Sequence, residues 1–191
     1  MNRDLKDRLN EILPTVVSDS FLSGKGLGNE IAFHVFDYPP EAELTVRQHI
    51  TFLIEHAPRK RPGMQVLHVN LLQMVVDYLK ERKLLDKVHV MQREKGDPLT
   101  LSKLQPILHP SKLIDRFVAL AQPEVADLVL VSGVGSVYPF MRAHSLLNNL
   151  QSVMGLTPLV LFYPGHYDGK SLRLFGKLRS ENYYRAFRLV P

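Results

Sequence analysis

Thr157–Gly176, TPLVLFYPGHYDGKSLRLFG, places an apolar strand, Thr157–Tyr163, directly before a loop that contains Gly169-Lys170-Ser171. A strand running into a Gly-Lys-Ser turn is the opening of a phosphate-binding loop. That template needs four residues between its first glycine and the Gly-Lys-Ser/Thr triplet. Here only His166, Tyr167 and Asp168 separate Gly165 from Gly169. The shortfall matters physically, because the backbone N–H groups of the loop must wrap a phosphate and aim a helix N-terminus at it. The residues alone describe a near-miss.

Working outward, alternating strand and helix signals cover the chain. Leu5, Leu9, Ile12 and Leu13 recur at helical spacing, and Pro14 is the expected stop. The glycines of Ser23-Gly24-Lys25-Gly26-Leu27-Gly28 follow no strand and close on no Gly-Lys-Ser/Thr, so they read as a connector. Glu30–Asp37 is the first strand. Pro39-Pro40-Glu41-Ala42-Glu43 then opens a helix whose apolar stripe is Val46, Ile50, Leu53, Ile54 and Ala57. Met64–Asn70 is the second strand, and the helix after it shows Leu72, Val75, Val76 and Leu79 on one face. Residues 84–121 read as short helices broken at Gly96-Asp97-Pro98, Pro106 and Pro110. Asp127–Val131 is the third strand, Phe140–Met154 a helix, Thr157–Tyr163 the fourth strand and Tyr184–Val190 the fifth. Strands separated by helical crossovers predict an α/β fold: a mostly parallel five-stranded sheet flanked by helices. The topology expected is P-loop-NTPase-like or Rossmann-like, in one domain over residues 1–191.

The chemistry of such a fold is incomplete here. A P-loop enzyme carries its glycine-rich loop after the first strand, yet that strand ends in Phe36-Asp37-Tyr38-Pro39-Pro40, and proline lacks the backbone donor. The strand at Leu128–Val131 delivers Ser132-Gly133 where a magnesium-binding Asp is needed. The eight histidines show no metal spacing, and His34 and His68 lie within strands. Ser136 lacks the flanking glycines of a nucleophile elbow. Asp37, Glu41 and Glu43 form an acidic cluster that helix capping explains. Neither enzymatic activity, a cofactor nor a metal is expected.

In parallel α/β sheets, ligands bind beyond the carboxyl ends of the strands. Three loops collect there, and Asp37, Tyr38, Tyr138, His166, Tyr167, Asp168, Lys170 and Arg173 are the candidate partner- or ligand-binding residues. Charge adds a second candidate. Residues 170–191 hold Lys170, Arg173, Lys177, Arg179, Arg185 and Arg188 against Glu181 alone, which accounts for the whole net charge of +5. These six residues could meet an acidic protein, hold DNA, or simply guard an exposed strand edge. No apolar run nears the roughly 20 residues of a membrane span. The charged N-terminus lacks a signal peptide's apolar segment, and cysteine is absent, so a cytoplasmic location is expected.

Three long motifs carry a family resemblance: SGVGSVYPFMRAHSLLNNL at Ser132–Leu150, PLVLFYPGHYDGKSLRLFG at Pro158–Gly176, and YYRAFRL at Tyr183–Leu189. They resemble the BrxB family of bacterial BREX bacteriophage-defence systems, over the whole chain. The resemblance implies work beside a DNA methyltransferase, a large ATPase and PglZ, an alkaline-phosphatase-like protein. It brings no established catalytic residues. Together with the missing catalytic positions, it leads to the expectation of a non-catalytic adaptor that binds PglZ. DNA binding through the basic C-terminal segment and degenerate nucleotide binding at Gly165–Ser171 are the alternatives.

Overall fold

The computed structural model of the protein describes residues 4–23, 32–179 and 186–191. Helix α1 (Leu5–Val16) buries Leu9, Ile12 and Val16, and the one-turn α2 (Asp19–Leu22) follows it. Strand β1 (Phe33–Tyr38) leads through a 3-10 turn at Pro40–Ala42 into α3 (Glu43–Lys60). Then come β2 (Val66–Asn70), α4 (Leu71–Glu81), α5 (Leu85–Lys95), α6 (Asp97–Leu104) and α7 (Pro110–Ala121). Strand β3 (Leu128–Ser132) is followed by the short α8 (Val134–Val137) and by α9 (Ala143–Leu150). The chain closes with β4 (Leu159–Tyr167), β5 (Leu172–Leu174), β6 (Leu178–Arg179) and β7 (Phe187–Arg188).

The fold is α/β, with the order β2-β3-β4-β1-β7 in parallel pairing throughout. All five expected strands are present. Two short strands that the sequence did not announce, β5 and β6, extend the far end of β4 in antiparallel pairing. Glu30 and Ile31 of the expected first strand, Tyr184 and Arg185 of the expected fifth, and Gly24–Gly28 of the connector lie outside the described residues.

Alternation along the strands sorts side chains into two apolar clusters. Val35, Val129, Val131, Leu159 and Leu161 pack with α4 to α9 on one face. Phe36, Leu128, Leu130, Val160 and Phe162 pack with α1 and α3 on the other. Continuous apolar strands are what a sheet covered on both sides requires. Each such side chain contributes about 1.5–3 kcal/mol when fully withdrawn from water.

Several boundaries differ from the sequence reading. Pro14 does not stop α1: like Pro58 of α3, it lies in a last turn, where one lost N–H bond is tolerated and the helix closes within two residues. The buried stripe of α4 is Leu71, Met74, Val75, Tyr78 and Leu79, turned so that Leu72 faces solvent. Asn70 sets that register by accepting the Gln73 N–H at 3.1 Å as the N-cap. The helix expected over Phe140–Met154 is confined to Ala143–Leu150, with irregular turns on both sides.

Candidate functional site: the rim at the carboxyl ends of β1 and β4

The connection leaving β1 carries α3 across one face, whereas that leaving β3 carries α8 and α9 across the other. They leave the carboxyl ends of β1 and β3, and β4 lies between these two strands in the sheet. This is the topological switch point, where a doubly wound sheet opens a crevice for ligand. In this protein the crevice is filled by the chain's own groups.

Asp37 lies at its centre, 4 % exposed. Its Oδ1 accepts from Arg8 Nη2 at 2.7 Å, while Arg8 Nη1 donates to the Asp37 main-chain carbonyl at 2.8 Å. Its Oδ2 accepts the Tyr167 N–H at 2.9 Å and lies 3.5 Å from His166 Nδ1. Arg188 Nη1 stands 3.7 Å from Oδ1, and Arg188 also donates to the Tyr167 carbonyl. Arg8 reaches on to the Val190 carbonyl at 3.3 Å and lies over the Phe36 ring, 4.7 Å from its centroid. One carboxylate therefore joins the N-terminal helix, the end of β4 and the C-terminal strand. Both of its oxygens are occupied, which leaves it poorly placed to act as a base or a metal ligand. Among the described residues no group of three or more His, Asp or Glu side chains is arranged to hold a metal ion.

The remaining candidates divide by position. Tyr167 is wholly buried and donates its hydroxyl to the Ala186 carbonyl at 2.6 Å. Tyr38 is buried too and donates to Glu43 Oε2 at 2.6 Å; burial, and then that carboxylate, raise its phenol above the ordinary range. Glu43 also accepts from Arg47 Nε at 2.7 Å, and Arg47 Nη2 reaches Ser136 Oγ at 3.2 Å, which bridges the loops after β1 and β3. Tyr138 is half-buried beside the larger cluster. His166, Asp168, Lys170 and Arg173 face solvent. The structure thus gathers Asp37, His166 and Tyr167 and sets Tyr38, Tyr138, Asp168 and Lys170 elsewhere on the rim.

Gly165–Ser171 is not a single loop. Gly165, His166 and Tyr167 belong to β4, opposite Leu174, Arg173 and Leu172 of β5. Only Asp168-Gly169-Lys170-Ser171 turns. There Asp168 Oδ1 accepts the N–H groups of Lys170 and Ser171 at 2.9 and 2.7 Å, and Oδ2 accepts the Ser171 hydroxyl at 2.7 Å. The Ser171 amide, its hydroxyl and the Lys170 amide hold this carboxyl well below the usual range. A phosphate cradle would need those same two amides, and Asp168 already supplies their anion. Gly165 has its own reason: a Cβ there would stand 2.1 Å from the Arg173 carbonyl oxygen across the hairpin.

Of the basic C-terminal residues, Lys170, Arg173, Lys177 and Arg188 are exposed, and Arg188 directs its guanidinium toward Asp37. Arg185 lies outside the described residues. Among the groups absent from the sequence reading, Arg8 matters most. His68 Nε2 lies 2.8 Å from Ser132 Oγ, which links the middle of β2 to the end of β3, and burial lowers the imidazole pKa.

Comparison with known proteins agrees with the motif resemblance. A family model described as BREX protein BrxB matches residues 67–189. A BREX protein BrxB from Bacillus cereus (strain H3081.97) is 38 % identical over 190 residues, covering 98 % of both chains. A second, from Escherichia coli O9:H4 (strain HS), is 38 % identical over 187 residues, covering 98 % of this chain and 92 % of the relative. No solved structure matches the chain.

Proposed function

The chain belongs to the BrxB family, and from that premise we propose that it is a non-catalytic adaptor which binds the alkaline-phosphatase-like PglZ protein. Membership makes it a component of BREX, a phage-defence system. The observation that carries the adaptor reading is the filled crevice. Where a doubly wound enzyme opens to its ligand, Asp37 is committed to Arg8, Tyr167 and Arg188. The residues that would do chemistry instead hold both ends of the chain together. A rigid scaffold with charged turns on its rim suits assembly better than turnover. Co-purification with PglZ from the same system tests this: a stable complex is expected, and separate migration at micromolar concentration contradicts it.

A second reading, binding of duplex DNA, draws support from the exposure of Lys170, Arg173 and Lys177. It requires an affinity that falls steeply with salt. Arg188 weakens it, since its guanidinium faces Asp37. A gel-shift at low salt with no retarded duplex would eliminate it.

A further inference from the structure

Beyond Pro164, β4 leaves the parallel sheet and becomes the first strand of an antiparallel arm with β5 and β6. The inner side of the arm is apolar and closed: Tyr167 and Leu172 are wholly buried, and Leu174 is 7 % exposed. The outer side carries Arg173; Phe175, 37 % exposed, and Lys177 lie in the turn at one end, and Lys170 lies in the turn at the opposite end.

The tip of this arm is chemically unusual. Leu174–Lys177 is a tight turn in which the Lys177 N–H bonds the Leu174 carbonyl at 3.1 Å. Both central residues have positive φ, 55° at Phe175 and 70° at Gly176. Hairpin turns of that conformation take Asn, Asp or Gly at the first central position, and a bulky ring there is strained. Such strain persists where the surroundings hold it in place. Here they do: the ring packs on Gly135, where a Cβ would come within 2.8 Å of Phe175 Cε1 and 2.9 Å of Pro164 Cγ. Gly135 thus makes the seat, and Phe175 is left 37 % exposed.

We infer that this arm, with Phe175 and Lys177 in one turn, Arg173 on β5 and Lys170 in the opposite turn, is the docking element that holds an acidic face of the protein partner, an inference resting on the adaptor reading. Residues 168–179 hold four cations against Asp168 alone, which turns its carboxylate onto the Lys170 and Ser171 amides. Aromatic anchors surrounded by charge are the usual centre of a protein interface, and complementary charge sets its orientation and on-rate. A phosphate backbone would place its charges against the Phe175 ring and find no use for it. An acidic protein surface with an apolar pocket uses the ring and the cations together.

The test measures binding of the full chain to PglZ by calorimetry, for wild type and two variants. Phe175→Asn suits the turn conformation and keeps the hairpin, so folding is preserved while the anchor is lost. The triple variant Lys170→Glu, Arg173→Glu, Lys177→Glu reverses exposed charge. A matched reversal on α5, Lys87→Glu, Arg93→Glu, Lys95→Glu, controls for net charge at other exposed positions. Expected is a Kd raised at least tenfold by each arm variant, with the α5 variant unchanged and thermal midpoints preserved. Wild-type binding that the arm variants leave intact overturns the docking element and leaves the adaptor reading standing. Absence of wild-type binding ends both. Loss of duplex DNA binding with PglZ binding unaltered assigns the arm to nucleic acid and overturns the inference.

Discussion

Arg8 and Asp37 stand 29 positions apart in sequence and meet through two hydrogen bonds of 2.7 and 2.8 Å, one to the carboxylate and one to the main-chain carbonyl. Their side chains are 13 % and 5 % exposed. This pair closes the crevice that the fold would otherwise open, and it ties the start of the chain to the centre of the sheet.

Removing one member leaves the other charge buried. Asp37→Ala should therefore cost about 3–5 kcal/mol, as for other broken buried ion pairs. Arg8→Ala should cost less, because Tyr167 N–H and Arg188 still face the carboxylate. Urea denaturation of both single variants and the double variant checks this. The double variant should fall well short of the sum, since the two residues share one network.

His34 gives the protein an acid-side weakness. It is buried between Phe21 and Phe187, and burial lowers its pKa to about 4 from 6.5. In the folded state the neutral ring is favoured, so the unfolded chain binds the proton first. Stability is full above pH 6.5 and is lost as pH falls toward 4, about 2 kcal/mol of it by pH 5. His49 and His68 are shifted in the same direction by burial and add to the slope. Urea midpoints at pH 7 and pH 5 should differ accordingly, and His34→Phe should remove most of the difference. A wild-type midpoint that does not move contradicts the assignment.

Two glycines of the arm should respond differently to alanine. At Gly165 the new Cβ meets a backbone carbonyl at 2.1 Å, so β5 has to move; a loss at the upper end of single-substitution effects, about 3 kcal/mol, is expected. At Gly169 nothing lies within 4 Å, and only its φ of +90° opposes a side chain. Gly169→Ala should cost about 1–2 kcal/mol. Thermal unfolding of the two variants provides the ranking.

Asp168→Ala removes the acceptor for the Lys170 and Ser171 amides. Hydrogen exchange at those two amides should accelerate strongly, with the rates of β3 unchanged. Equal protection in the variant would mean that the turn is held by other groups.

The parallel strands were legible because buried strands are written as unbroken apolar runs, as at Leu128–Val131 and Leu159–Phe162. The α3 stripe was legible because 3.6-residue periodicity needs no tertiary information. The hairpin arm was not. β5 and β6 are three and two residues long, too short for any period, and Gly165 and Gly169 resemble loop residues whether they serve close strand pairing or a turn. The crevice was half legible. Asp37 and His166 stood at predicted strand ends, but Arg8 lies on an ordinary amphipathic helix, where an arginine reads as solvated charge. Only its distance to Asp37 assigns it, and distance across 29 positions is a property of the folded chain.

The adaptor reading makes one demand that no other reading shares. The purified chain and PglZ of the same BREX system, mixed at equal micromolar concentrations and separated by size exclusion with light scattering, should elute as one species. Its mass should equal that of the two proteins combined. Two peaks at the masses of the separate proteins, at low and at physiological salt, would contradict the account.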